Sequence, residues 1–259
     1  MPAPFPPANK RLGQHFLIDQ NIVRKIVAVA ELAPDDTVLE IGPGRGILTD
    51  ALSRAARRVV AIEIDAELCA LLQARQTDWK NVELICADAL IHPFETLAAG
   101  VVVANLPYYI STPLLFKFLD QRRRFPRLVL MLQNEVADRL VAKAGDDDYG
   151  VLSVLMQYAA DVKKAFKVSA NCFRPRPDVD SAVVVLRPRP EALLSPGRCR
   201  ESSWKSSPKP ILFEAFPCMR SAGTCRISNF RPSNRISGWM TTCLLPNFRP
   251  MSKSSRRRC

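Results

Sequence analysis

The stretch that most constrains this chain is Val38-Leu39-Glu40-Ile41-Gly42-Pro43-Gly44-Arg45-Gly46-Ile47-Leu48-Thr49. An apolar run of strand length meets three glycines at alternate positions, and residues 47–56 then carry apolar side chains at helical spacing. The pattern predicts a strand, a tight loop and a helix start. Glycines at such a junction open the backbone to a ligand, because no side chain blocks the approach and the turn can take positive φ. The next apolar run, residues 58–63, predicts a second strand ending in Glu63, 21 positions after Gly42. Nucleotide-binding βαβ units hold a ribose near that position. Glycines and acid together point to an adenosine-like ligand; the alternative is an ordinary α/β turn that binds nothing.

The details of the loop select among adenosine compounds. Dinucleotide folds read G-x-G-x-x-G and turn a helix N-terminus toward a pyrophosphate. Here the loop reads Glu-x-Gly-x-Gly-x-Gly, stiffened by Pro43. An acidic edge repels a pyrophosphate and suits the ammonium and sulfonium of S-adenosylmethionine. The loop resembles motif I of the S-adenosylmethionine-dependent methyltransferases, which implies cofactor contacts through Gly42, Gly44, Gly46 and Glu63.

The rest of the body alternates helices and strands. A helix over residues 20–31 is capped by Asp19, and a second follows Asp65 to residue 76. Residues 82–86 form a third strand, and Asp88 just beyond it can accept from an adenine amine or cap the next segment. A fourth strand, residues 101–104, runs into Asn105-Leu106-Pro107-Tyr108. A helix over 114–119, a strand over 128–132, a helix from Gln133 to residue 143, a polar loop over 145–150 and a helix over 151–159 follow. Two final segments, 161–168 and 181–186, flank a proline loop over 173–177. This order describes a mostly parallel, Rossmann-like sheet with an antiparallel edge. In such sheets ligands bind beyond the C-terminal strand ends, so Asn105 belongs beside the glycine loop.

Asn105-Leu106-Pro107-Tyr108 suits chemistry on the amine of adenine. The lone pair of that amine is delocalised into the ring, so the nitrogen is a poor nucleophile until hydrogen bonds at its N–H groups draw it toward tetrahedral geometry. The Asn105 carbonyl can accept one such bond and the Leu106 backbone carbonyl the other, with Pro107 stiffening the segment. Tyr108 offers a ring to an unpaired base. The structural alternative is an Asx-Pro turn with a core tyrosine.

With these motifs in hand, residues 10–187 resemble the ribosomal RNA adenine dimethyltransferases of the KsgA/RsmA type. The resemblance rests on Gly13-Gln14-His15-Phe16-Leu17, the glycine loop, Asn105-Leu106-Pro107-Tyr108, and the run from Phe173-Arg174-Pro175-Arg176-Pro177 through Val184. It implies cofactor contacts from His15, Leu17, Gly42, Glu63, Asp88 and Asn105, and stacking of the target base on Tyr108 and Phe173. It implies an enzyme that dimethylates N6 of two adjacent adenines near the 3′ end of small-subunit ribosomal RNA, acting on a pre-ribosomal particle in the cytoplasm; a monomer without a metal site is expected. The alternatives are a large-subunit RNA dimethyltransferase of the macrolide-resistance type and a non-catalytic assembly factor. Intact Asn105 and Tyr108 argue against the last.

Composition divides the chain. Residues 1–190 carry 24 Lys+Arg against 22 Asp+Glu, whereas residues 191–259 carry 13 against 3. The net charge of +12 therefore sits mainly in the tail. Basic clusters in the body, among them Arg122-Arg123-Arg124 with Arg127, Lys163-Lys164 with Lys167, and Arg174 with Arg176, read as phosphate contacts or as solvated faces. No apolar run reaches membrane-spanning length, and the first residues lack a signal-peptide pattern, so a cytoplasmic protein is expected. Cys69, Cys86 and Cys172 form no C-x-x-C pair and are expected as reduced, mostly buried thiols.

Residues 1–9 are expected as a disordered N-terminus, 10–189 as the methyltransferase domain and 190–259 as a basic tail. Valine occurs 21 times in the first 190 residues and not once in the last 69, where Asp, Tyr and His are also absent. The family's small C-terminal helical domain and its Arg-Arg-Lys motif are not legible there. The tail reads as the product of a frameshift near residues 190–200, or as a genuine disordered basic extension.

Overall fold

The computed structural model describes residues 6–97 and 100–189. The basic tail predicted for 190–259 lies outside the described residues. In chain order the elements are β1 (Phe16–Leu17), α1 (Gln20–Ala30), β2 (Thr37–Ile41), α2 (Ile47–Ala55), β3 (Arg58–Glu63), α3 (Ala66–Ala74), β4 (Val82–Cys86), β5 (Val101–Asn105), α4 (Ser111–Asp120), β6 (Leu128–Gln133), α5 (Asn134–Val141), α6 (Val151–Ala159), β7 (Ala160–Val168), β8 (Phe173–Arg174) and β9 (Ser181–Pro188). The capping acids act as expected: Asp19 accepts from the Asn21 and Ile22 N–H groups, and Asp65 from Glu67 and Leu68.

Seven strands form one sheet in the order β4-β3-β2-β5-β6-β9-β7. The first five in that order run parallel, and β9 is antiparallel to both β6 and β7. The antiparallel edge expected from the sequence is therefore present. The inner parallel strands β2, β3, β5 and β6 are buried almost throughout, which is why they read as largely unbroken apolar runs, whereas the edge strand β4 is partly exposed. Val101 and Val103 face the layer of α1 and α2, whereas Val102 and Ala104 face that of α4. On the α4 side Phe94, Phe118 and Phe125 pack ring against ring at 5.4–6.0 Å between centroids. At the open edge β7 alternates exposed and covered residues and carries a bulge at Lys164/Phe166, features that blunt an edge against further pairing.

Strand order reverses between β2 and β5, since β3 and β4 extend one way and the chain returns to the other side of β2 for β5. That reversal opens a crevice at the C-terminal strand ends. A second, two-stranded sheet crosses near it: Phe16 pairs with Arg174 and Leu17 with Phe173. The sequence patterns do not contain this sheet, because two-residue strands have no periodicity to read.

The readings of the cysteines and of the basic clusters are corrected. Cys69 and Cys86 are joined in a disulfide between α3 and the end of β4, since the packing of α3 on the sheet brings their Cα atoms within 6.0 Å; only Cys172 is a free thiol among the described residues, and it is half-buried. Of the expected disordered start only residues 6–9 are described; there the Pro6 carbonyl accepts from Arg45 and Asn9 caps a short turn of helix. The arginine cluster is mostly structural: Arg122, Arg124 and Arg127 donate to the carbonyls of Leu119, Leu97 and Ala30. Lys164 and Lys167 are likewise paired, with Asp138 at 2.6 Å and Asp180 at 2.9 Å.

Candidate active site

The glycine loop turns from β2 into α2 with φ of 68° at Gly42, 58° at Gly44 and 80° at Gly46. At Gly44 both reasons for glycine apply: the backbone is left-handed, and an added Cβ would stand 3.1 Å from the Phe16 ring. The Gly44 N–H donates to one oxygen of Glu63 at 3.1 Å, and the Asp65 N–H donates to the other at 3.0 Å. Glu63 is thereby fixed at the tip of β3 while each oxygen keeps a lone pair for a ligand. Its burial pushes the carboxyl up, and the two N–H bonds partly offset this.

Glu40 lies deeper, at 1% exposure, and neither of its oxygens has a hydrogen-bond partner among the described residues. Burial pushes its carboxyl up to about 8; the neighbouring Thr49 hydroxyl eases this, and the Glu63 and Asp50 carboxylates add to it. Burial thus disfavours charge on the acid expected to present it at the loop edge, because desolvation outweighs the Thr49 contact.

A cavity at the strand reversal is walled by Glu40, Gly42, Gly44 and Glu63 on one side and by Asn105 to Tyr109 on the other. The N-terminal segment, including His15 and Leu17, closes it. Asn105 donates from its Nδ2 to the His15 carbonyl at 3.3 Å, and the Leu106 N–H donates to the Met131 carbonyl at 3.2 Å. The His15 ring stacks on Tyr108 at 5.7 Å, its Nδ1 bonded to the Pro175 carbonyl at 2.9 Å. The Tyr108 hydroxyl meets Ser181 Oγ at 2.8 Å. Burial, and after it the Asp180 carboxylate, pushes the Tyr108 hydroxyl up, against the effect of the Ser181 bond.

Three predicted site residues do not wall this cavity. Gly46 starts α2 and packs toward Trp79, Arg75 and Leu72. Asp88 spends one oxygen on the Leu90 N–H at 2.8 Å in a turn that starts no helix, and its charge reaches the mouth through its effect on Tyr109. Phe173 is 1% exposed in the core, facing Leu17 across the small sheet, and offers no face to a base. An aromatic in a proline loop reads equally as a stacking platform or a core anchor, and here β1–β8 pairing turns it inward.

The family model for "Ribosomal RNA adenine dimethylase" matches residues 7–200. The chain belongs to this family. It is 49% identical over 195 residues to a protein of Moorella thermoacetica named ribosomal RNA small subunit methyltransferase A, covering 70% of this chain and 68% of that one. Among solved structures, a dimethyladenosine transferase from Plasmodium falciparum superposes with a TM-score of 0.64 at 37% identity, over 68% of this chain and 64% of that one. The 23S rRNA methyltransferase ErmE gives 0.63 at 32%, over 70% and 72%. The chain spans about two thirds of the length of the curated relatives it matches, 63–68% in three of them.

As in its family, the methyl donor is S-adenosyl-L-methionine, and the cavity fits it. The unpartnered Glu40 oxygens and the Glu63 lone pairs offer hydrogen-bond acceptors to the amine and hydroxyl groups of a nucleoside, and Gly44 leaves the space a side chain would fill. Sequence reasoning does not reach Gln14, which ties the N-terminal segment to Asp65 at 2.6 Å, or Tyr109, half exposed at the mouth against Gly13. The signal for Tyr109 was its adjacency to Tyr108, two aromatics in succession at a strand end.

Proposed function

We propose that this chain dimethylates N6 of two adjacent adenines near the 3′ end of small-subunit ribosomal RNA. The observation that carries this is the orientation of Asn105 at the cavity wall. With its Nδ2 committed to the His15 carbonyl, its Oδ1 is the atom left to accept an amine N–H. The Leu106 carbonyl is the second acceptor, on a backbone held through its N–H by Met131. Two acceptors convert a planar amine into a nucleophile without a strong base, since the nitrogen becomes acidic as its new bond forms. Tyr108 stacks on the base. Glu40, Glu63, Gly42, Gly44, His15 and Leu17 hold the cofactor, which supplies a methyl group on a positively charged sulfur. Much of the acceleration comes from alignment, an effect of up to about 7–11 kcal/mol.

Curated relatives named small-subunit methyltransferase A favour this reading over the large-subunit one. The substrate is the RNA in a pre-ribosomal particle, met in the cytoplasm by a monomer. Among the described residues no helix is long and apolar enough to cross a membrane. The domain boundary falls at about residue 189, and the valine-free tail arises from a frameshift. Translating the other two frames downstream should recover helical periodicity and an Arg-Arg-Lys motif; neither appearing would establish the tail as genuine. Methyl incorporation into unmethylated small subunits, set against large-subunit RNA, tests the function. Labelling of large-subunit RNA alone would reverse the assignment, and labelling of neither would leave an assembly factor.

A further inference from the structure

We infer that Ser181 is a positioning residue for the target base, acting through Tyr108. This rests on the proposed function, in which Tyr108 receives the base. Tyr108 follows a proline in a short 3-10 turn between β5 and α4, where little besides packing fixes the rotation of its ring. Two contacts remove that freedom. The His15 ring stacks on it, held by the Pro175 carbonyl, and its hydroxyl bonds to Ser181 Oγ at 2.8 Å. Ser181 is rigid in a way a loop serine is not: it is fully buried and it opens β9, where its backbone pairs with both Gln133 and Val168. Next to it Asp180 is locked by the Ala170 N–H and Lys167. The tyrosine hydroxyl is thus referenced to the antiparallel half of the sheet, while its backbone belongs to the parallel half. A stacking platform held at both ends keeps the amine aligned with the methyl donor, and alignment is where the rate of such a transfer arises.

Loss of one buried hydrogen bond of this kind lowers the single-turnover methylation rate at saturating RNA by about tenfold. Ser181→Ala and Tyr108→Phe should each show that loss, and the double variant should be no slower than the slower single one, since both remove one bond. Affinity for S-adenosylhomocysteine, measured by calorimetry, should stay at the wild-type value in all three. Wild-type rates in Ser181→Ala, or multiplicative losses in the double variant, overturn the inference. So does a parallel loss of S-adenosylhomocysteine affinity, which would mark a general structural role. Asn105→Ala is the control for the underlying reading: if it methylates normally the base site is elsewhere, whereas a dead Asn105→Ala beside a normal Ser181→Ala removes Ser181 alone.

Discussion

The two walls of the cavity are built on different principles. The wall at β2 and β3 is local: Gly42, Gly44 and Glu63 lie within 22 residues, and the fold needs only one strand-loop-helix-strand unit to bring them together. The wall at Asn105 is assembled from His15, Asn105, Tyr108, Pro175 and Ser181, which three separate parts of the chain deliver. The first wall strains its own groups, burying Glu63 with one backbone bond per oxygen and Glu40 with no hydrogen-bond partner among the described residues; the second satisfies its groups with one another. A generic cofactor needs preformed, underused polar atoms, whereas a specific base needs acceptors aimed in one direction.

If that contrast is right, the largest effect should come from the strained wall and appear as pH dependence. The Glu40 carboxyl, raised from 4.5 to about 8 by burial, binds more protons folded than unfolded across that interval. Stability is then fullest below pH 4.5 on this group's account and falls as pH rises through 8, by at most about 5 kcal/mol at 1.36 kcal/mol per unit. Melting temperature followed from pH 5 to 8 should fall in wild type and stay flatter in Glu40→Gln. Equal slopes would mean that Glu40 ionises freely.

On the satisfied wall, Asn105→Ala should lower the single-turnover rate by about 10²–10³, the usual cost of losing an acceptor or donor aimed at a reacting group. Unchanged chemistry would return Asn105 to a structural turn. Next in size, Glu63→Ala should weaken cofactor binding by roughly 1.5–3 kcal/mol and leave RNA affinity alone. Calorimetry with S-adenosylhomocysteine distinguishes this from a general loss of fold, which would weaken both ligands. Smallest is Gly44→Ala, where a left-handed backbone with a ring at 3.1 Å costs about 1–2 kcal/mol. A variant as stable and as tight as wild type would show that the loop flexes around the methyl group.

The same contrast explains what was legible in the sequence. Long buried strands and capped helices are encoded by neighbouring residues, so β2 to β6, the Asp19 and Asp65 caps and the antiparallel edge could all be read in advance. The small β1–β8 sheet could not, because each strand is two residues long and the partners are distant in sequence. The burial of Phe173 is illegible for the same reason: it depends on Leu17, which only the fold brings opposite. The Cys69–Cys86 bond was missed because a separation of 17 matches no motif, and its closure depends on how α3 lies on the sheet. Charge was the least informative signal, since arginines that look like an RNA-binding run are committed to carbonyls at helix ends.

The Phe16–Arg174 pairing also sets an order of events on the ribosome that makes this chain. Because the N-terminal segment waits for residues 173–174, and Tyr108 for Ser181, the base-facing wall stays open until β9 has left the exit tunnel, although the glycine loop can form much earlier. A reading error between Glu63 and Ser181 would therefore leave the glycine loop and its acid encoded but not the base-facing wall. One downstream of Pro188 comes too late to alter either wall.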